Sequence, residues 1–121
     1  MIGASGNVQV WAYPLPADLR RGYNGLFALA RNEMGRDPRS GDVFLFVNRQ
    51  RTSTKCLVHD GTGLCIFMKR LDHGRFAPLW RRDSEGRVRL TSSELALYLE
   101  GCREVGYRAL APPRTNIVDA S

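Results

Sequence analysis

Between Gly41 and Trp80, short apolar runs alternate with turns that carry the basic side chains, and this rhythm constrains the fold more than any other feature of the 121-residue chain. Val43–Val47, Thr54–His59 and Leu64–Lys69 are each of strand length and rich in β-branched or aromatic residues. Asn48-Arg49-Gln50-Arg51-Thr52-Ser53 is a polar connector, and Asp60-Gly61-Thr62-Gly63 supplies the next reversal. Three strands joined by such short connections make an antiparallel meander the simplest topology. Val8–Tyr13 reads as a further strand stopped by Pro14 and Pro16, and Val88–Leu90 as another. Phe76–Trp80 reads as an irregular or edge strand, because Pro78 lacks the donor that a central ladder needs. Arg81–Gly86 reads as a flexible hairpin connection.

Helical spacing appears twice. Asp18 is placed to accept amide hydrogen bonds at a helix start, and Leu19, Tyr23, Leu26, Phe27, Ala30 and Met34 then recur on one face. Gly22 and Gly25 weaken that helix, and Gly35 is its expected stop. The second signal has more parts. Thr91 and Glu94 form a capping box, Leu90 is set to staple against Leu95, and Leu95, Tyr98, Leu99 and Cys102 make a buried stripe that Gly106 ends. The expectation is an α+β fold, an antiparallel β meander packed with two main helices. Residues 1–107 form a single domain, followed by a peripheral or flexible tail, 108–121, that Pro112 and Pro113 keep from continuing the helix.

Charge narrows the functional classes. The net charge is +6, and residues 49–87 hold nine basic and four acidic side chains, so most of the excess sits in one third of the chain. Such a local excess suits phosphate backbones through counterion release. It equally suits a solvated surface or docking on an acidic protein. Arg49, Arg51 and Lys55 form one candidate set for successive phosphates, provided their loop projects from the sheet. Lys69, Arg70 and Arg75 form another, flanked by Phe67 and Phe76, for both of which burial is the expected fate.

Catalysis finds little support. Asp18, Asp37, Asp42, Asp60, Asp72 and Asp83 are scattered over turns and define no two-metal constellation. No spacing brings His59, His73 and Cys56 together, and Cys56 is better read as packing. The glycines match neither a P-loop nor a dinucleotide fingerprint. Cys56, Cys65 and Cys102 cannot all pair within the chain and lack zinc-ligand spacing, which favours reduced thiols. With neither a secretory pattern nor an apolar run of membrane-spanning length, the expectation is a cytoplasmic chain with no cofactor, no metal and no membrane partner.

From Val8 to Gly106 the chain also resembles a known family. The points of resemblance are Asp18-Leu19-Arg20-Arg21-Gly22-Tyr23-Asn24-Gly25-Leu26, Asp37-Pro38-Arg39-Ser40-Gly41-Asp42-Val43-Phe44-Leu45-Phe46, Asn48-Arg49-Gln50-Arg51, Lys55, Asp60-Gly61-Thr62-Gly63-Leu64, Lys69-Arg70-Leu71-Asp72-His73-Gly74-Arg75-Phe76 and Leu90-Thr91. Together they are similar to the accessory proteins encoded by the second open reading frame of IS66-type insertion sequences, called TnpB-like in that context and unrelated to the RNA-guided nuclease of similar label. Where that family often carries Trp-Pro after Gly-Arg-Phe, this chain has Ala77-Pro78-Leu79-Trp80. The family pattern also implies a local pair of Asp18 with Arg21, read as a cap or salt bridge ahead of a ligand contact. The resemblance implies a non-enzymatic part in transposition, with element-end DNA and a separate transposase or other element-encoded proteins as partners. A protein adaptor that never touches nucleic acid is the alternative. Homo-oligomerisation is left open.

Overall fold

Val43-Phe44-Leu45-Phe46-Val47 has no polar side to offer water, so a strand built from it needs cover on both faces. The computed structural model, which describes residues 8–79 and 88–101, supplies that cover. In chain order the elements are β1 (Val10–Ala12), α1 (Tyr23–Ala28) running on into a π-helical turn (Leu29–Glu33), β2 (Val43–Val47), β3 (Ser53–His59), β4 (Leu64–Arg70), β5 (Val88–Leu90) and α2 (Ser92–Leu99). The five strands form one sheet ordered β4-β3-β2-β1-β5. β2 lies at its centre with every residue buried.

β2, β3 and β4 make the expected antiparallel meander, with Leu45 opposite Cys56 and Cys56 opposite Phe67. The whole sheet is mixed, because β1 runs parallel to β2 and antiparallel to β5. Parallel neighbours need a long crossover, and the segment between β1 and β2 provides it by carrying α1 across one face. Past β1 the chain stays beside β2, where Tyr13 N donates to Leu45 O at 2.9 Å and Ala17 N to Val47 O at 2.9 Å.

Side chains alternate along each strand and so divide the core in two. Trp11, Tyr13, Phe44, Phe46 and Leu57 pack with Leu26, Leu29, Ala30 and Met34, forming the α1 face. Val10, Val43, Leu45, Val47, Cys56 and Val58 pack with Phe76, Leu79, Leu95 and Tyr98, forming the α2 face. Tyr13 Oη donates to Glu33 Oε1 at 2.6 Å and ties the π-helical turn to the sheet. Burial, and then Glu33, push the Tyr13 phenol up to about 12.

Three local expectations are corrected. Asp18 does not cap α1, which begins at Tyr23 after Gly22 with no side-chain cap. Asp18 Oδ1 instead accepts the Arg20 N–H at 3.0 Å in a local turn. Because the helix starts late, its buried face begins at Leu26, and Tyr23 is 51% exposed. Segment 76–79 is not a strand. Phe76, Ala77 and Leu79 lie buried over the α2 face, with the backbone held by one main-chain bond and two side-chain donors in place of a ladder. Phe76 N donates to Arg51 O at 2.7 Å, Arg51 Nη1 donates to Phe76 O at 3.0 Å, and Tyr98 Oη donates to Ala77 O at 2.7 Å. The Phe76 and Tyr98 rings stack at 5.3 Å.

α2 starts as expected. Glu94 N donates to Thr91 Oγ1 at 3.0 Å and Thr91 N to Glu94 Oε1 at 2.8 Å, while Leu90 and Leu95 share one buried cluster. The helix stops before Gly106, because Gly101 takes a left-handed conformation, φ +93, and its N–H closes on Tyr98 O at 2.9 Å. Trp80, Arg81–Gly86, Cys102, Gly106 and the tail lie outside the described residues. Thr91→Ala should lower the unfolding free energy by about 1 kcal/mol through loss of the cap. Tyr98→Phe should lower it by about 1–3 kcal/mol, because the Ala77 carbonyl stays buried without its donor. Urea unfolding reads both, and a neutral Tyr98→Phe would contradict the docking of segment 76–79.

Candidate nucleic-acid interface

The β2–β3 connection is a built loop. Asn48 Oδ1 accepts the N–H groups of Thr52 at 2.9 Å and Ser53 at 3.1 Å, and Asn48 Nδ2 donates to Thr52 Oγ1 at 3.2 Å. This bonding holds Arg51 in the left-handed region, φ +61, an uncommon place for an arginine. Arg49 and Gln50 stand exposed at the tip. The Arg51 guanidinium turns inward to the Phe76 carbonyl and serves the fold, leaving Arg49 as the outward charge of this loop.

The other expected cations are distributed by strand geometry. Lys55 sits on the α1 face, where its Nζ donates to Arg21 O at 3.1 Å. Lys69 and Arg70 are neighbours in sequence but lie opposite Thr54 and Ser53, so they occupy opposite faces of the sheet, with Arg70 on the α1 side. Arg75 is exposed beyond β4. Phe76 is buried, but Phe67 is 45% exposed, a correction that follows from its place on an edge strand with no cover on its outer side among the described residues.

On the α1 face, where the chain after β1 meets the β2–β3 loop, an open groove of about 750 Å³ is lined by Arg20, Arg21, Asn48, Arg49, Ser53 and Met68, among others. It joins Arg49 to Arg20 and Arg21, two residues that charge counting over 49–87 did not select as contacts. The Arg20-Arg21 doublet was visible in sequence, but its own stretch is nearly balanced in charge. The expected pair of Asp18 with Arg21 is also corrected. Asp18 Oδ2 instead pairs with Arg20 Nη2 at 2.8 Å, since the turn at Asp18 folds Arg20 back onto it. The Arg20 side chain and then its backbone N–H hold the Asp18 carboxyl well below the usual carboxylate range. Among the described residues Arg21 and Arg49 have no carboxylate partner. Gly25 makes room for Arg21, because a Cβ there would lie 2.9 Å from Arg21 Cβ.

A second group of arginines lies at the other end of β2 on the same face. Arg36 stacks over the Trp11 ring at 4.2 Å, and Asp42 Oδ2 accepts from Trp11 Nε1 at 3.1 Å and from Arg36 Nη2 at 3.5 Å. Arg31, Arg36 and Arg39 line a smaller hollow there.

Cys56, Asp60 and His59, three of the groups considered for chemistry, are occupied by folding. Burial pushes the Cys56 thiol up to about 12. Asp60 closes its turn by accepting N–H groups from Thr62 and Gly63, which lower its carboxyl to about 2. His59 Nδ1 accepts the Gly61 N–H at 3.1 Å. No cluster of three or more His, Cys, Asp or Glu suited to a metal ion occurs among the described residues. The groove offers charge and hydrogen-bond donors.

Comparison with known proteins decides the family. The IS66 Orf2-like protein family matches residues 8–108, spanning the sheet, both helices and the groove. The chain belongs to the IS66 Orf2-like family. Membership makes it an insertion-sequence-associated accessory protein, in a family not known for enzymes. Two uncharacterized proteins of Sinorhizobium fredii (strain NBRC 101917 / NGR234), y4jC and y4hO, are each 32% identical over 101 residues, covering 84% of this chain and 85% and 86% of theirs. No solved structure matches significantly. No helix among the described residues is long and apolar enough to cross a membrane.

Because the Cys56 thiol is buried and protonated, a thiol reagent at pH 8 should modify it only after unfolding, whereas half-buried Cys65 should react in the native protein. Peptide mass spectrometry reads both sites. Rapid native labelling of Cys56 would contradict its place in the core.

Proposed function

We propose that the chain is a non-catalytic accessory protein of IS66-type transposition that positions element DNA by holding its phosphates in the groove on the α1 face. The supporting observation is convergence. Arg21 and Arg49 come from separate segments to one open groove, with Lys55 bonded beneath Arg21 and Arg70 beside Ser53. Arginine suits this task, because its planar fork can take two phosphate oxygens at once. Phosphate contacts set register and orientation without reading sequence, which fits an accessory role. Strand cleavage and joining then belong to a separate transposase, the second partner of this reading.

The test is duplex binding by fluorescence anisotropy over a salt series. Replacing Arg21 and Arg49 by Gln should weaken binding and flatten the plot of log K against log salt by about one unit for each lost phosphate contact, with circular dichroism unchanged. Unchanged affinity and slope in a folded variant would remove the groove from the interface. Salt-tolerant binding to the transposase, with none to DNA, would make the chain a protein adaptor instead.

A further inference from the structure

β4 ends the sheet on the side away from β5, and no strand lies beside its outer edge among the described residues. Two hydrogen bonds fix which way its backbone groups face. At one end of the β3–β4 pair Asp60 N donates to Gly63 O at 3.0 Å, and at the other Leu71 N donates to Thr52 O at 2.9 Å. Hydrogen-bonded and non-hydrogen-bonded pairs alternate in an antiparallel ladder. With Cys56 opposite Phe67, the residues Cys65, Phe67 and Lys69 therefore turn their N–H and C=O groups toward β3. Leu64, Ile66, Met68 and Arg70 turn theirs outward.

Exposed edges of this kind are usually blunted along their length by charge, proline or bulges. In β4 the charges Lys69 and Arg70 sit at one end only, and the middle is apolar. Phe67 is 45% exposed on the α2 face and Met68 is 54% exposed on the α1 face.

We propose that the chain pairs with a second copy of itself through β4, antiparallel and centred on Phe67, joining two sheets into one. In that register Leu64 faces Arg70 of the mate, Ile66 faces Met68, and Phe67 faces its own copy. All four outward-turned residues then fall in hydrogen-bonded pairs, about eight main-chain bonds in total. The two Phe67 residues meet at a non-hydrogen-bonded position, where Cα atoms approach to about 4.5 Å and side chains are closest. Charge selects the orientation. Lys69 of one copy lies opposite Cys65 of the other, whose Sγ is 3.6 Å from Asp60 Oδ2, so the basic end of each strand meets the acidic turn of its mate. Parallel pairing would set Lys69 and Arg70 beside their own copies.

The two-fold axis runs normal to the joined sheet and leaves both α1 faces, with their grooves, on the same side. That consequence rests on the phosphate-binding reading. The pairing does not, and its test contains no nucleic acid.

Sedimentation velocity of the full chain under reducing conditions, over a dilution series, should show a monomer–dimer equilibrium. Met68→Pro removes one outward N–H and none of the donors to β3, so it should give a folded monomer. Disulfide trapping locates the axis independently. In a Cys56→Ala, Cys65→Ser, Cys102→Ser background, which removes the thiol facing position 67 within the chain, Phe67→Cys should oxidise to a covalent dimer in several-fold higher yield than the exposed-turn control Thr62→Cys. A native chain that stays monomeric throughout the series overturns the proposal, as does a dimer in which Phe67→Cys cross-links no better than the control. Should Met68→Pro fail to fold, the cross-linking result decides.

Discussion

The burial of β2 on both faces governs the rest of the structure. Val43, Phe44, Leu45, Phe46 and Val47 are all at 0% exposure, and each face must be covered by a different part of the chain. α1 and the π-helical turn close one side over Phe44 and Phe46. α2 and segment 76–79 close the other over Val43, Leu45 and Val47. Such a strand must be central, so its partners on either side and the connections at its two ends follow. Those ends are where the exposed chemistry gathers, at the Asn48 loop after β2 and around Asp42 before it.

Much of this was legible in the sequence where the information is local. The edges of β2, β3 and β4 follow the alternation of apolar runs and turn formers to within a residue, and the Thr91 to Glu94 box marks the start of α2. The parallel pairing of β1 with β2 was not legible, because periodicity shows that a segment is extended and not which strand it lies beside. The start of α1 was missed because Asp18 can satisfy itself within its own turn, which competes with capping a helix. Segment 76–79 shows the same limit over a longer distance. Pro78 marks it correctly as poor ladder material, but its burial depends on Arg51 and Tyr98, far away in the chain.

The candidate site was legible only in part, for a related reason. Counting charge along the chain groups residues by number, whereas a strand sends neighbours to opposite faces and a fold spends some charges internally. Lys69 and Arg70 are separated by the pleat, and Arg51 is drawn inward to the Phe76 carbonyl. Arg21, outside the basic third of the chain, arrives beside Arg49 because the chain after β1 continues along β2 as far as Val47. The α1 face thus collects arginines from segments that no single window of sequence contains.

Whether Arg21 and Arg49 act together on phosphate is tested most directly by a heteronuclear NMR titration of the labelled chain with a short duplex. Shifts should concentrate on residues 16–21, 48–53 and Met68, with the α2 helix and Leu79 unmoved. Shifts confined to the α2 side, or absent at low salt, would contradict the assignment of the groove.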